Sequence, residues 1–304
     1  MSISVSQINQ YIPALAKDMA TRAVASAKTA KLLANAGQLQ VGVKGKAAIL
    51  QLSQDVNIQD GSTCGARNPL GTTALSNSFI TVAPMKDESN ICPKTLYNSY
   101  YAYAIAKGQD PRNETLLPDF LRNVFDLKAA SLNYAVENLL WNGDTAITGT
   151  SNLKYIDGIL KQTLAGSYIS LPDTGATLVE KLQNAFLAMP VQIRTQPDFR
   201  MFIGEDLYSQ YTVALSLKNI FKPTEDYTLF GTTATLVPVS GLNGSSKILA
   251  ARLSSLQLGM DADDEVTKVI MNYSVETLQW YFDYHFACGI SVVYPDQVGY
   301  AVLS

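Results

Sequence analysis

One histidine, His285, serves all 304 residues. That count excludes the HExxH metalloproteases and every two-histidine metal site. The three cysteines, Cys64, Cys92 and Cys288, stand apart with no CxxC pair. Such a sparse, odd set supports neither a disulfide framework nor a zinc site. There is no Walker A run, no GxGxxG and no GxSxG, so phosphate cradles and the hydrolase nucleophile elbow have no support. No apolar run approaches the roughly 18 residues of a membrane span, and the N-terminus lacks the charged-then-apolar pattern of a signal peptide. Together these absences imply a soluble, cytoplasmic product with no membrane partner and no cofactor. Charge is scarce as well, at 16% of residues, against a typical quarter or so. A chain this long with so few charges is expected to have much of its surface covered by something else.

What charge there is lies unevenly. Lys17, Arg22, Lys28, Lys31, Lys44 and Lys46 face only Asp18 before residue 55, while the whole chain carries −3. The protein as a whole is therefore no nucleic-acid binder. Its basic N-terminal stretch reads either as a solvated helix face or as an arm lying on an acidic surface or nucleic acid.

Periodicity places the elements. Pro13 to Ala36 reads as a helix, with Pro in the first turn, Gly37 as the stop and a narrow stripe of Leu15, Met19, Ala23, Ala27 and Ala30. Leu50, Leu52, Val56 and Ile58 alternate with Gln51, Ser53, Asp55, Asn57 and Gln59, the pattern of a half-buried strand. Leu75–Met85 is its partner, across the polar tip "DGSTCGARNPLGTT". An isolated hairpin is marginal in water, and this one has no evident surface of its own. Lys94–Gln109 reads as a short tyrosine-rich helix. Asp119 then caps the clearest helix, residues 119–142, with a stripe of Phe120, Leu121, Val124, Leu127, Leu132, Ala135, Val136, Leu139 and Leu140, an Arg122–Asp126 pair and Gly143 as its end. It spans about 35 Å. Further on, Thr177–Met189 is a helix, Phe199–Ile203 a strand, and Glu205 and Asp206 open another helix. Thr232–Ser240, Lys247–Leu253 and Glu265–Asn272 are strands.

Near the end, "TLQWYFDYHFACGISVVYP" alternates strictly. Leu278, Trp280, Phe282, Tyr284 and Phe286 share a packed face; Thr277, Gln279, Tyr281, Asp283 and His285 share a wetter one. Asp283 and His285 lie about 7 Å apart along such a strand. They form an ion pair, or the start of a catalytic dyad if a nucleophile stood opposite; none is in sight nearby, so the pair is read as structural. "DADDE", Asp261–Glu265, packs four carboxylates without the spacing or glycine of a calcium loop and reads as a solvated turn. Asp144 and Asp157 flank a loop as conceivable paired acids, yet nothing in the sequence brings them together. No catalytic, metal or cofactor residue emerges.

The order of elements carries more than any motif. A basic helix, a long hairpin with a polar tip, a spine-length helix ending "LLWNGD", a loop into "IDGIL", then "FIGEDLYSQYTVAL", "LFGTTATLVPVSGLNGSSKILAARLSSLQLGMD" and "ETLQWYFDYHFACGISVVYPDQV" follow one another. Over nearly its whole length the chain resembles the major capsid proteins of tailed bacteriophages, the Hong Kong 97-type α+β fold. The resemblance rests most on "WNGD…IDGIL" and "GISVVYPDQVGY". It implies an N-terminal arm at 1–37, an extended hairpin loop at 38–90, a peripheral domain at 91–170 plus 265–290 around the spine helix, and an axial domain at 171–264 plus 291–304. It implies no enzyme, but a self-assembling shell protein forming the hexamers and pentamers of an icosahedral head around double-stranded DNA held by unspecific charge. Its setting would be the virion, assembled in the host bacterial cytoplasm. Partners implied are further copies of itself, portal, scaffolding and decoration proteins. Some relatives carry a scaffolding segment ahead of the arm; here the arm begins near Met1, so scaffold is expected either as a separate protein or as a segment already lost, and the initiator Met speaks against the second. Lys17, Arg22, Lys28, Lys31, Lys44, Lys46, Arg67 and Asn68 become candidate inter-subunit contacts. No lysine–asparagine cross-link of the kind some members form is carried over. Two alternatives stay beside this reading: an encapsulin-like compartment packaging a cargo enzyme, and a hydrolase built on His285 and Asp283.

Overall fold

The aromatic strand organises the first of two sheets. In the computed structural model, which describes residues 27–59, 70–91, 102, 117–218, 220, 227–261, 268–274, 276–277 and 279–304, it is β11, Gln279–Val292. Along one edge β11 pairs antiparallel with β4 (Ala83–Ile91); along the other it pairs first with β10 (Lys268–Ser274) and then with β9 (Leu256–Asp261). The short β1 (Leu39–Val41) adds to β9 in parallel. Fourteen residues is long for a strand, and its length is what lets one partner edge hold two strands in series. As expected, Tyr284 and Phe286 are buried while Tyr281, Asp283 and His285 are half-buried; Phe282, expected on the packed face, is half-buried as well. Pro84 stands in β4, an edge strand, where its missing N–H interrupts no further ladder.

The second sheet runs β5-β12-β8-β6-β7: Ile169–Ser170, Gly299–Val302, Lys247–Arg252, Phe199–Gly204 and Thr235–Val239. It is buried on both faces, which is why its strands read as nearly unbroken apolar runs. Met201, Ile203, Leu236, Ile248 and Ala250 face one core, while Phe202, Val237, Val239, Leu249 and Ala251 face the other.

The helices serve these two cores. The spine helix, α2, is Leu117–Asn142; α1, α3, α4, α5 and α6 are Lys28–Asn35, Ile159–Ala165, Leu178–Ala188, Val191–Arg194 and Glu205–Leu217. Helices α4 and α6 cover the outer face of the second sheet. Thr177 caps α4, accepting from Glu180 N–H at 3.4 Å, while Glu180 accepts from Ala176 N–H at 2.9 Å. The C-terminal half of α2 fills the space between the sheets with Val136, Leu139, Leu140 and Trp141, and the Trp141 ring lies 5.2 Å from that of Phe202.

Several expected boundaries shift. The spine helix begins at Leu117, so Asp119 lies in its first turn rather than at its cap. Leu127, expected in the stripe, is exposed. The N-terminal helix does not run unbroken through Ala27, whose φ of −55° and ψ of 131° are not helical; residues 1–26, with Leu15, Met19 and Ala23, lie outside the described residues. The expected helix at 94–109 also lies outside them, save residue 102. The expected second hairpin strand is two strands, β3 (Thr73–Thr81) and β4, the latter belonging to the β11 ladder. The loop expected to lead to Ile159 and Leu160 does so, and these two residues open α3.

The segment "WNGD…IDGIL" has a physical reason. Gly143 and Gly158 stack backbone on backbone, with Gly158 N–H donating to Gly143 O at 2.8 Å. A Cβ on Gly143 would stand 2.4 Å from Ile156 O, and one on Gly158 2.6 Å from Gly143 N. Only glycine lets α2 end so tightly against the entry to α3.

Candidate functional site

His285 sits mid-strand between Lys86 and Lys268 on the two neighbouring strands, and Asp283 lies beside Glu88. Asp261 is buried on β9 opposite Ala287, and the rest of "DADDE" lies outside the described residues. Among the described residues no group of three potential metal ligands gathers, and no helix is long and apolar enough to cross a membrane. Cys288 is fully buried, and burial pushes its thiol up to about 12.

The hairpin is the conspicuous surface. β2 (Lys46–Gln54) pairs with β3, Leu52 opposite Leu75, Leu50 opposite Asn77 and Ala48 opposite Phe79. Directly opposite residues share a face, and this face is bare: Leu50, Leu52, Leu75 and Phe79 are 69%, 64%, 68% and 50% exposed. Val56 and Ile58 beyond the strand are also exposed. Within the single chain the apolar stripe thus has no surface to lie on, as the sequence led one to expect of this hairpin. The opposite face, with Ala47, Ile49, Gln51 and Ile80, turns to the chain's own body. Gln51 donates to Val293 O, and Ser291 Oγ donates to Phe79 O at 3.1 Å. The physical reason is the seat beneath. Gly259 and Gly289 are register partners in β9 and β11, and the chain at Ile80–Val82 lies in the gap their missing side chains leave. A Cβ on Gly289 would be 1.9 Å from Thr81 O, and one on Gly259 2.8 Å from Val82 Cγ2. Ile80, Val82, Val43 and Ala287 close a small core around that crossing. Root docking therefore decides which hairpin face looks outward.

The candidate contact residues scatter around this hairpin. Lys28 and Lys31 are exposed on α1. Lys44 and Lys46 are exposed at the hairpin root, where the Lys46 ammonium stands 4.2 Å from the centre of the Phe79 ring. Lys17, Arg22, Arg67 and Asn68 lie outside the described residues. Further apolar side chains, Leu187, Val191, Val213 and Leu217, are exposed on α4, α5 and α6.

Two polar clusters escaped sequence reasoning. Asp144 and Asp157 do come together, because Lys161 reaches both, at 2.6 Å and 2.7 Å. The lysine holds the Asp144 carboxyl below its ordinary range, and Ala146 N–H adds to this. Partial burial works to raise Asp157, but bonds from Lys161 and Thr145 carry it below its ordinary range. Lys161 in turn is raised, and the three tie the end of α2 to the start of α3. The i,i+4 spacing of Asp157 and Lys161 was the available signal. The second cluster is Glu137, 2% exposed, which takes Thr29 N–H at 3.0 Å, Thr29 Oγ1–H and Trp141 Nε1–H at 3.1 Å. Burial pushes its carboxyl up, against those bonds and the charge of Lys28. Its only sequence signal was a carboxylate interrupting an apolar stripe.

No protein-family model matches this sequence, and no curated protein matches it either. Solved structures match over almost the whole chain. The capsid asymmetric unit of cyanophage A-1(L) is 11% identical, covering 91% of this chain and 92% of that one at a TM-score of 0.58. The capsid of Myoviridae phage XM1 is 15% identical, covering 90% and 92% at 0.51. A virus-like particle from Pyrococcus furiosus is 11% identical, covering 96% and 98% at 0.50. The fold is the Hong Kong 97-type α+β fold of capsid proteins.

Proposed function

We propose that this chain is a shell subunit, the major capsid protein of a tailed-phage head, building hexamers and pentamers around double-stranded DNA. The observation that carries the reading is the bare outer face of the hairpin: four apolar side chains on one face, on a fold shared with shell proteins, while the other face is the one seated on the chain's own body. Residues 1–37 serve as the arm, 38–90 as the loop laid on a neighbouring copy, 91–170 with 265–290 as the peripheral unit, and 171–264 with 291–304 as the axial unit. The exposed lysines of α1 and the hairpin root are the contacts for a neighbour or for packaged DNA. Burying such a face against a second copy makes assembly and hairpin ordering share the same apolar area, and obligate interfaces of this kind exceed about 2,000 Å². Portal, scaffold and decoration proteins are its expected partners, and the virion its expected place, after assembly in the host cytoplasm.

A second reading, a compartment enclosing protein cargo, calls for the same closed shell built from one self-assembling fold. Negative-stain microscopy of the purified protein tests the class: uniform closed shells are expected, and a stable monomer at high concentration would refute both readings. The contents of shells recovered from infected or expressing cells then decide between them. Nucleic acid in the wild-type particle supports the phage head, and a stoichiometric protein guest supports the compartment.

A further inference from the structure

We infer that Glu137 is a two-position latch: this spine-helix carboxylate is the N-terminal cap of α1, so the arm helix holds only while the two helices keep their present register. A helix leaves its first N–H groups without intrahelical partners. Ala27, at the cap position of α1, offers no side chain to meet them. Glu137, 108 residues away in sequence, does so instead, with Oε2 accepting from Thr29 N–H at 3.0 Å. Its other oxygen accepts from Thr29 Oγ1, whose hydroxyl in turn accepts from Trp141 Nε1–H at 2.9 Å; the same indole N–H lies 3.1 Å from Glu137 Oε1. Glu137 and Trp141 are four residues apart, on one side of α2. Thr29 and Trp141 are fully buried and Glu137 nearly so.

Two physical facts make this arrangement a latch rather than a graded contact. An eight-residue helix is too short to persist on its own, so what caps and buries it decides whether it forms. A desolvated carboxylate stripped of its donors is strongly disfavoured, so intermediate positions, with the bonds broken and the site still dry, are avoided. A shift of α2 by part of a turn would carry Glu137 away from Thr29 and uncap α1. The latch is a property of the folded chain and does not depend on the shell reading.

The test compares the full-length wild type with Glu137→Gln, Glu137→Ala and Thr29→Val. Amide exchange is followed across Lys28–Asn35, and trypsin cleavage is followed at the exposed Lys28 and Lys31 and, as control, at Lys218. Losing hydrogen bonds to a charged group should speed local opening by roughly tenfold or more. The expected result is that increase in Glu137→Ala and Thr29→Val, a smaller one in Glu137→Gln, and an unchanged rate at Lys218. If Glu137→Ala fails to fold, Glu137→Leu carries the test, since it refills the site but offers no oxygen to Thr29 N–H. Unchanged exchange of α1 in a folded Glu137 variant without a side-chain oxygen would overturn the latch. So would equal acceleration at Lys218, which would mark general destabilisation.

Discussion

Replacing Leu50 and Leu52 together by threonine separates folding from assembly. Threonine keeps the preference for extended backbone, so the β2 ladder should persist. Both leucines are about two-thirds exposed in the single chain, at 69% and 64%. Their apolar contribution to the isolated subunit is correspondingly small, and exposed substitutions of this kind usually stay within ~0.5 kcal/mol. On a neighbouring copy the exposed two-thirds would be buried. Full burial of a leucine is worth about 2 kcal/mol, so two-thirds of it, lost at two positions, is roughly 2.5 kcal/mol per contact. That weakens each contact close to a hundredfold, repeated at every equivalent contact of a closed shell. The assay is light scattering with size-exclusion chromatography and negative-stain microscopy, alongside a circular-dichroism melt of the subunit. A near wild-type melt with no closed shells is the expected outcome. Normal shells at wild-type concentration would refute the argument. A large fall in the melting temperature of the lone subunit would also refute it, because the leucines would then be buried within their own chain.

Three further outcomes follow from the geometry. Gly289→Ala should destabilise the fold by at least the ~1–3 kcal/mol of an overpacked site, since its Cβ would meet Thr81 O at 1.9 Å; Gly259→Ala, which meets only side-chain tips, should cost less, and urea midpoints check the ranking. For the Asp144–Lys161–Asp157 group the two carboxyls are depressed below 3.8, so their contribution is complete above that pH and is lost as pH falls through the lowered values. Lys161 is raised above 10.5, so its contribution is complete below that pH and is lost on the alkaline side of it. Lys161→Met should therefore lower stability between these limits and flatten its decline at both ends, measured by denaturant melts across pH. Cys288 should resist alkylation in the native chain at pH 8 and react only after unfolding, because its thiol is buried and pushed up to about 12; mass mapping of the modified peptide reads this directly, and native labelling would contradict the packing of β11.

Much of the architecture was legible because local periodicity writes it. The stripe of Leu132, Val136, Leu139 and Leu140 marks the buried half of α2, and the alternation through Tyr284 and Phe286 marks the packed face of β11. Thr177 and Glu180 announce the start of α4. Legibility failed where an element meets something distant. The hairpin's alternation shows two unlike faces and no surface within reach for the apolar one, but not that the other face, with Ala47 and Ile49, seats on the chain's own body. Alternation says that two sides differ; it cannot say which side the chain's own body occupies.

The amino-acid sequence by itself determined most of the elements, their amphipathic faces and the lack of a metal-binding or nucleophilic motif, because each depends on residues within a few positions of one another. Only the tertiary structure decided that Gly259 and Gly289 stand opposite each other beneath the hairpin, that Lys161 joins Asp144 to Asp157, and that Glu137 caps a helix 108 residues earlier. Those pairings depend on how sheets and helices stack. Stacking is set by the sum of many weak, non-directional apolar contacts, and no short stretch of sequence contains that sum.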